Sequence, residues 1–518
     1  MKWSLTFSVL SFAALACSGC SGNGNATGTT TSTAMTVPGG LMAACESPWT
    51  IRLLAYDPTP VVPRRMYFAS CTTPAGTPRL YVSATLTSST VVSASENGLA
   101  GNSGVVFTAD LQGSSLVQSG APRQLPECSE MHGIAAKSDC SVIGVLCRRP
   151  TYASKNSAPT KDMVAAITDT AARNWLTQPV SADGKTTSDE EWLYEWPTGD
   201  LSAAPKTYVA SKAIGSWEYG RQELVYGEKD NSYGLSLKST VYGPDGNQRH
   251  EGDALLIVDR SNYSINLGRG WTWGCASGHT LFNHLAYNPA NSRYAVTCGS
   301  DLGLDPNPGG FAGIWVHAEK GTSKGVQNAP FWQSLNFGGG PTSLLPLDDG
   351  GYLGVIAGAS TAFGPGTNFR ASGPVSSIGL ARYDQDGNLV GSIKWVVDNS
   401  GTFYSYPQLV SMGNGRFLLG YGEMVTLAEQ QAAIAANMNI DDSFRIPGAF
   451  HVRQVDQSGT PLGPDQTLTN AGWGEQDQLV PLGPGRVGWA YLPSPARANN
   501  KSPACLSTSL QLSVYVKD

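Results

Sequence analysis

The sequence has few charged side chains and lacks long apolar runs. Only 14% of its 518 residues are Asp, Glu, Lys or Arg, against about 25% in an average soluble domain. The net charge is −6 and no basic run occurs, which argues against a general nucleic-acid partner. Beyond residue 20, no stretch approaches the roughly 18 consecutive apolar residues of a membrane-spanning helix. The 60 Gly and 32 Pro residues are typical of a turn-rich extracellular β protein.

Several motifs of metal and nucleotide chemistry are also missing. There is no His-Glu-x-x-His zinc helix and no Gly-x-x-x-x-Gly-Lys-Ser/Thr phosphate-binding loop. Asp301, Asp305 and Asn307 crowd one Gly- and Pro-rich segment, but their spacing fits no standard calcium loop, and a solvated turn is favoured. We therefore expect no metal and no cofactor, with calcium lacking support.

The beginning of the chain has the pattern of an export signal. Lys2 supplies a short positive region, Leu5 to Leu15 an apolar core, and Ala14 to Ala16 a small-residue cleavage site before Cys17. The segment resembles a bacterial lipoprotein signal peptide, and this resemblance implies lipidation at Cys17. Plain secretion after cleavage at the same site is the alternative.

These features divide the chain into three parts. We assign residues 1–20 to the signal peptide, residues 21–44 to a flexible Gly/Ser/Thr-rich tether, and residues 45–518 to one folded domain. We expect an exported protein, either a membrane-anchored lipoprotein held by lipid alone or a free extracellular or periplasmic protein.

A weak pattern recurs seven times along the chain: a turn, followed by an apolar strand that begins with an aromatic or aliphatic residue. These first residues are Tyr67, Ile143, Tyr233, Tyr294, Tyr352, Phe417 and Val487. A second strand-like run follows each, beginning near Leu80, Met163, Ala254, Phe311, Ile378, Phe450 and Leu510. The repetition predicts an all-β fold, a seven-bladed β-propeller. In style the chain resembles bacterial secreted and lipoprotein propellers, a resemblance that brings no assigned activity.

The repeats are longer than compact propeller repeats, which predicts long loop insertions. The largest lie around Arg148 to Trp217 and Tyr421 to Ala449. Within the second, Leu427 to Met438 is rich in Ala and Gln and predicts a short inserted helix. The run from Leu510 to Val516 predicts a terminal strand, which either completes the last blade or joins the first.

Eight cysteines follow Cys20, and six of them occupy matching places in the repeat. In an exported chain this pattern predicts three equivalent disulfides. The predicted pairs are Cys45 with Cys71, Cys128 with Cys147, and Cys275 with Cys298. The remaining Cys140 and Cys505 either pair with each other or stay free.

Polar residues precede the first strand of several repeats, where blades of a propeller converge on the central channel. They are His132, Arg221, Glu223, His279, His284, Gln408, Glu475 and Asp477. Titratable groups gathered at a channel mouth favour a ligand or catalytic site. The alternative is a hydrogen-bonded tunnel wall that stabilises contacts between blades.

The middle repeat has the densest set of candidate binding residues. Trp271 and Trp273, with neighbouring glycines, predict a rigid platform on which a sugar ring stacks. Aromatic core packing is the competing interpretation. The predicted ligand-binding residues are Trp271, Trp273, Glu218, Glu251, Asp253, His132 and His284.

The same region is similar in kind to polysaccharide lyases built on seven-bladed propellers. That resemblance implies that His250 or His279 abstracts a proton, that Tyr219 protonates the leaving oxygen, and that Arg221 neutralises a uronic acid. A glycoside hydrolase would instead need two facing carboxylates, for which Glu218, Glu251 and Asp253 are the nearest candidates.

The sequence therefore supports two classes of function. The first hypothesis is a disulfide-stabilised monomeric propeller that binds a polysaccharide or an envelope protein. The alternative is a polysaccharide lyase or glycoside hydrolase with its site at the channel mouth, and a scaffold without a small ligand is the third possibility.

Overall fold

We describe the protein from a computed structural model. The residues that the structure describes are 32–35, 67–86, 103–113, 115–128, 130–149, 190–211, 223–242, 248–266, 268–275, 284–299, 314–319, 340–358, 377–398, 404–423, 450–468, 478–491 and 511–516. They form strands and turns without a helix. Among them no helix exists that could cross a membrane. The predicted helix at Leu427 to Met438 lies outside the described residues.

The described strands form seven antiparallel sheets, numbered here in chain order. Sheet 1 contains β2 (Tyr67–Thr72), β3 (Pro78–Leu86), β4 (Ser103–Gln112), β5 (Ser115–Gln118) and β6 (Arg123–Leu125). Sheet 2 contains β7 (Glu130–Ala136), β8 (Ile143–Arg149), β9 (Glu190–Trp196) and β10 (Lys206–Ser211). Sheet 3 contains β11 (Glu223–Gly227), β12 (Ser232–Tyr242), β13 (Gln248–Asp259), β14 (Ser264–Ile265) and β15 (Trp271–Cys275).

The remaining four sheets follow in the same way. Sheet 4 contains β16 (His284–Asn288), β17 (Arg293–Gly299) and β18 (Ile314–Ala318). Sheet 5 contains β19 (Gly340–Pro346), β20 (Tyr352–Gly358), β21 (Ser377–Tyr383) and β22 (Leu389–Asp398). Sheet 6 contains β23 (Tyr404–Gly413), β24 (Arg416–Glu423), β25 (Phe450–Asp456) and β26 (Gln466–Leu468). Sheet 7 contains β27 (Leu479–Pro481), β28 (Arg486–Tyr491), β29 (Gln511–Val516) and, from the start of the chain, β1 (Ser32–Met35).

The sheets are arranged as in a β-propeller. Each is an up-and-down meander, and the first strand of each contacts the first strand of the next sheet along the chain. The first strand of sheet 7 in turn contacts the first strand of sheet 1. Apolar side chains of facing sheets fill the space between them, which is how a meander buries both of its faces. The prediction of an all-β propeller arrangement with disulfides is confirmed.

The repeat in the sequence marks the second strand of six sheets. Ile143, Tyr233, Tyr294, Tyr352, Phe417 and Val487 are the first or second residues of their strands. Tyr67 breaks the pattern because it begins the first strand of sheet 1, and Leu80, on β3, is its structural counterpart. The third strand of sheet 2 is β9, so the run near Met163 is not that strand, and the predicted insertion from Arg148 to Trp217 contains β9 and β10.

The two faces of the propeller differ in the length of their connections. First and second strands are joined by short turns, at residues 73–77, 137–142, 228–231, 289–292, 347–351, 414–415 and 482–485. We call this side the turn face. Second and third strands are joined at the opposite side, the loop face, by segments such as 150–189, 300–313 and 424–449. Long connections of this kind commonly carry binding specificity.

Two disulfides are present among the described side chains. Cys128 bonds to Cys147 as predicted, with Cα atoms 5.6 Å apart. Cys71 bonds to Cys140 at a Cα separation of 5.2 Å, so the predicted pair with Cys45 is wrong. The expectation that Cys140 pairs with Cys505 or stays free is wrong for the same reason. The turn after β7 brings Cys140 beside the end of β2, a contact between sheets that repeat spacing does not encode. The side chains of Cys45, Cys275, Cys298 and Cys505 lie outside the described part.

Candidate functional site

One register position is shared by the first strands of all seven sheets. In sheets 1 to 6 it faces the residue three positions after the residue that marks the repeat in the second strand, which is Leu80, Ile143, Tyr233, Tyr294, Tyr352 or Phe417. In sheet 7 it directly precedes Leu479, which faces Trp489. The residues at this position, which we call the belt, are Tyr67, Gly133, Glu223, His284, Ser343, Gln408 and Gln478. A buried apolar residue follows each of them: Phe68, Ile134, Leu224, Leu285, Leu344, Leu409 and Leu479.

Belt side chains bond to the backbone of the next sheet. Glu223 accepts a hydrogen bond from the amide of Leu285, and Gln408 accepts one from Leu479 at 3.0 Å. Ser343 donates to the carbonyl of Leu409 at 3.0 Å. The apolar neighbours fill the core while these lateral bonds set the spacing between sheets.

The belt closes between sheets 7 and 1. Gln478 accepts a hydrogen bond from the amide of Phe68 at 3.4 Å, across 410 positions of sequence. At Gly133 the next sheet approaches so closely that an added Cβ would lie 2.7 Å from the Cβ of Leu224. Glycine is therefore required there, because no side chain fits.

The closing bond can be tested against an equivalent bond elsewhere in the belt. We expect Gln478→Ala and Gln408→Ala each to lower the free energy of unfolding by about 1 kcal/mol, the net value of one hydrogen bond. Hydrogen exchange should accelerate at Phe68 in the first variant and at Leu479 in the second. Equal acceleration at both amides in both variants would show that the bonds do not act locally.

Belt residues Glu223 and His284 form an acid–histidine pair between sheets 3 and 4. Nδ1 of His284 lies 3.2 Å from Oε1 of Glu223. Both side chains are buried, and the amide of His284 donates to Oγ1 of Thr297 at 2.9 Å. The carboxylate thus holds the imidazole in one orientation, since a charged partner at Nδ1 fixes the ring and favours a proton on that nitrogen.

A second acid–histidine pair lies in sheet 2. His132 occupies a bulge of β7 between Met131 and Gly133, and its Nδ1 lies 2.5 Å from Oε1 of Glu191 on β9. Glu191 is 0% exposed, and among the described residues its Oε2 has no hydrogen-bond partner. A buried carboxylate is stabilised by a hydrogen-bonding partner, so the contact with His132 links β7 to β9.

A third histidine is held at the loop-face end of sheet 6. Nδ1 of His451 lies 2.9 Å from Oδ2 of Asp465, and its Nε2 lies 3.3 Å from Oε2 of Glu423. The ring of Tyr421 stacks on the imidazole with an interplanar angle of 7°, and its hydroxyl donates to Oδ1 of Asp465 at 2.6 Å. Tyr404 meets both rings edge-on. The network runs from a buried phenol to two partly exposed carboxylates.

Charges within this network set its protonation state. Burial lowers the pKa of His451, but the hydrogen bonds and charges of Asp465 and then Glu423 outweigh it, so that the pKa is raised above 6.5. Burial raises the pKa of Asp465, but the bonds from His451 and Tyr421 leave it lowered below its ordinary value. The network therefore favours the imidazolium form of His451 more than water does.

The raised pKa of His451 predicts a pH-dependent stability. A histidine whose folded pKa is raised stabilises fully below its unfolded pKa, near 6.5, and this contribution is lost as pH rises through the folded value. We expect the difference in unfolding free energy between wild type and His451→Gln to be largest at acidic pH and to shrink above neutrality. Denaturant titrations from acidic to basic pH measure it, with Asp465→Asn as a second variant that should flatten the same profile. A difference independent of pH would contradict the ion-pair assignment.

The structure places only part of the predicted site. His132 lies on the first strand of sheet 2 and His284 on the first strand of sheet 4, with sheet 3 between them. Trp271 is half-buried against the core between sheets 3 and 4. The backbones of His250, Glu251, Asp253 and Trp273 lie on β13 and β15, without described side chains. Tyr219, Arg221, Glu218 and His279 lie outside the described residues, as do Cys17, Glu475 and Asp477. The roles assigned to all of these residues stay predictions.

Sequence reasoning missed Glu191, His451 and Asp465. Glu191 sits in a segment read as a loop, and Asp465 follows a turn that is far from His451 in the repeat pattern. The signal that was available is the alternation of β25, in which His451, Arg453 and Val455 share one face. A histidine on a partly buried strand face indicates a hydrogen-bonding partner nearby, because a polar group removed from water is costly without one.

Comparisons with known proteins show a limited likeness. No protein-family model matches this chain, and no curated protein matches it. A protein of unknown function from Dyadobacter fermentans has a TM-score of 0.39 at 9% identity, covering 88% of this chain and 97% of that one. The β-propeller domain of the Trilobed protease from Pyrococcus furiosus has a TM-score of 0.38 at 9% identity, covering 82% and 89%.

An ulvan lyase, described as a new family of polysaccharide lyase, is also similar. Its TM-score is 0.40 at 6% identity, and the alignment covers 74% of this chain and 81% of the lyase. At these scores the likenesses carry no argument about activity or substrate. The propeller arrangement rests on the sheets of this chain itself.

Proposed function

We propose that this protein is an exported, lipid-anchored, seven-bladed β-propeller that binds glycan at its loop face. Each of the seven sheets would be one blade, with the Gln478 to Phe68 contact closing the ring. Export is supported by the two disulfides, which are typical of oxidising compartments. Lipidation at Cys17 is supported by the leader alone.

The observation that carries the binding proposal is the placement of the acid–histidine pairs. All three histidines whose side chains are described have Nδ1 against a carboxylate. All three lie toward the loop face, where the long connections also arrive. Preoriented carboxylates and imidazoles are suitable hydrogen-bonding partners for the hydroxyls of a sugar, and they lose little freedom on binding.

A panel of neutral and acidic polysaccharides tests this proposal directly. We expect the mature chain, with β1 retained, to bind at least one member, and His132→Gln and His284→Gln to weaken that binding about tenfold. Asp386→Asn, a matched removal of charge from the turn face, should leave the affinity unchanged. Trp271→Ala and Trp273→Ala should abolish binding if these residues form the predicted platform. If no polysaccharide binds, glycan recognition is overturned, and capture of an envelope protein becomes the hypothesis to test.

Acid–base catalysis on a polysaccharide is the second candidate. It is favoured by the carboxylate at Nδ1 of His132 and of His284, an arrangement that orients an imidazole for proton transfer through its other nitrogen. The catalytic roles themselves are those that the sequence predicts for other residues. In the lyase version His250 or His279 is the base, Tyr219 the acid and Arg221 the partner of the uronate; in the hydrolase version Glu218, Glu251 and Asp253 supply the carboxylates.

Product analysis separates binding from catalysis. New unsaturated ends would establish a lyase, and shortened saturated chains a hydrolase. For a lyase, His250→Ala and His279→Ala should remove product while largely preserving affinity. Intact chains across the panel would leave binding alone.

A further inference from the structure

The first strand of the chain determines the face from which an N-terminal anchor reaches the propeller. β1 pairs with β29 in antiparallel register, with Ser32 opposite Tyr515 and Met35 opposite Leu512. β29 pairs in turn with β28. The N-terminal segment therefore supplies the outer strand of sheet 7, although four of its residues belong to the stretch expected to be a tether.

The direction of β1 follows from the direction of its neighbours. β28 begins at the turn of residues 482–485 and so runs from the turn face to the loop face. β29 is antiparallel to β28, and Val516 near its end lies opposite Arg486 at the turn face. Because β1 is antiparallel to β29, Ser32 lies at the turn face and Met35 farther toward the loop face.

The chain before Ser32 is short compared with the propeller. Residues 18–31 separate Cys17 from β1, and a Gly- and Ser-rich segment of this length has an average span of about 20 Å. A strand of seven residues is about 23 Å long. With a tether of this average span, the turn face lies closer to the attachment point at Cys17 than the loop face does.

Apolar side chains at the turn face give an independent indication. Among the described residues, the exposed large apolar side chains are Val390, 46% exposed, and Leu462, 45% exposed. Val390 is the second residue of β22, just after the turn of residues 384–388, and Leu462 lies in the turn between β25 and β26. Both belong to the turn face, where a bilayer interface would accommodate them.

We propose that the turn face is the membrane-facing surface of the protein and that its partner is a lipid bilayer, with the loop face directed away from it. The proposal rests on the lipid anchor of the proposed function. It places His132, His284 and His451 on the side that large extracellular polymers reach without crossing the space between protein and membrane. Binding at the loop face and anchoring at the turn face are then compatible in one molecule.

Fluorescent reporters at the two ends of one strand test this orientation. Asp386→Cys lies in the turn before β22 and Asp398→Cys at its loop-face end, about 30 Å away. The full lipidated chain is reconstituted in phosphatidylcholine vesicles that carry a headgroup quencher. We expect quenching at position 386 to be at least threefold stronger than at position 398. Equal quenching at both positions, or stronger quenching at position 398, overturns the proposal.

Attaching the chain to the vesicle by another means tests its orientation separately from lipidation at Cys17. A chain beginning with six histidines directly before Ser32 is bound to vesicles containing a nickel-chelating lipid. If the native chain acquires no lipid but this chain shows the same preference for position 386, anchoring at Cys17 fails and the orientation stands. If Thr33→Pro with Ala34→Pro, which disrupts the pairing of β1, leaves the preference unchanged, the role of β1 is overturned.

Discussion

Loss of the Cys71 to Cys140 disulfide is expected to lower the free energy of unfolding by about 4 kcal/mol. The bond spans 69 residues, and closing a loop of that length removes roughly this amount of chain entropy from the unfolded state. Cys128 and Cys147 are 19 residues apart, for which the same relation gives about 3 kcal/mol. The first bond joins sheets 1 and 2, whereas the second stays within sheet 2 and its leading segment.

Denaturant unfolding of two double variants measures these effects. Cys71→Ser with Cys140→Ser should be less stable than Cys128→Ser with Cys147→Ser, which serves as the matched control. In the variant that lacks the Cys71 to Cys140 bond, amide hydrogen exchange in β2 should also be faster, because sheet 1 loses its covalent link to sheet 2. Peptide mapping without reduction provides the direct check, and a fragment joining Cys71 to Cys45 would contradict the pairing.

Replacing Glu195 with alanine should cost about 3–5 kcal/mol, the typical result of breaking a buried ion pair from one side. Glu195 is 0% exposed and accepts bonds from Arg260 at 2.9 Å, from Tyr233 at 3.0 Å and from Tyr263 at 2.8 Å. It belongs to sheet 2, and its three partners belong to sheet 3. Burial and the charge of Glu195 raise the pKa of Tyr233 well above 10, so this phenol remains a donor throughout the working pH range.

An exposed pair provides the control for Glu195. Asp349 and Arg382 form an ion pair with side chains 50% and 46% exposed, and Asp349→Ala should cost at most about 1 kcal/mol. Thermal or denaturant unfolding of the two variants gives the comparison. If Glu195→Ala is no more destabilising than Asp349→Ala, the buried contacts do not link the two sheets energetically.

A similar buried contact between a glutamate and an arginine joins sheets 3 and 4. Glu319 is 0% exposed and holds Arg269, whose Nη2 lies 2.8 Å from Oε2 of Glu319. Arg269 also pairs with Asp230 at 2.6 Å. A buried glutamate near the end of a third strand, bonded to an arginine from another sheet, is therefore a repeated link between neighbouring sheets of this propeller. The sequence does not reveal it, because the partners are far apart and belong to different repeats.

The sequence by itself determined the fold class and the local frame of the candidate site. The turn followed by an apolar strand recurs at Ile143, Tyr294 and Phe417 because each second strand is buried on both faces, and burial selects the same residue types each time. The convergence of Glu223, His284 and Gln408 on one belt could be predicted for the same reason, since equivalent positions of a meander have equivalent surroundings.

Only the tertiary structure decided which distant groups are partners. From the repeat spacing, Cys140 was expected to pair with Cys505 or to stay free, whereas it bonds to Cys71. Glu191 and Asp465 were not identified as partners of His132 and His451. These contacts depend on how sheets and strands meet in space. The pairing of β1 with β29 also could not be predicted from the sequence. A short polar segment lacks the alternation of apolar residues that predicts a strand, and it forms one because β29 has an unpaired edge. The local pattern of apolar residues indicates which side chains are buried. Contacts between sheets join segments that are far apart in the sequence, and such contacts leave no periodic pattern.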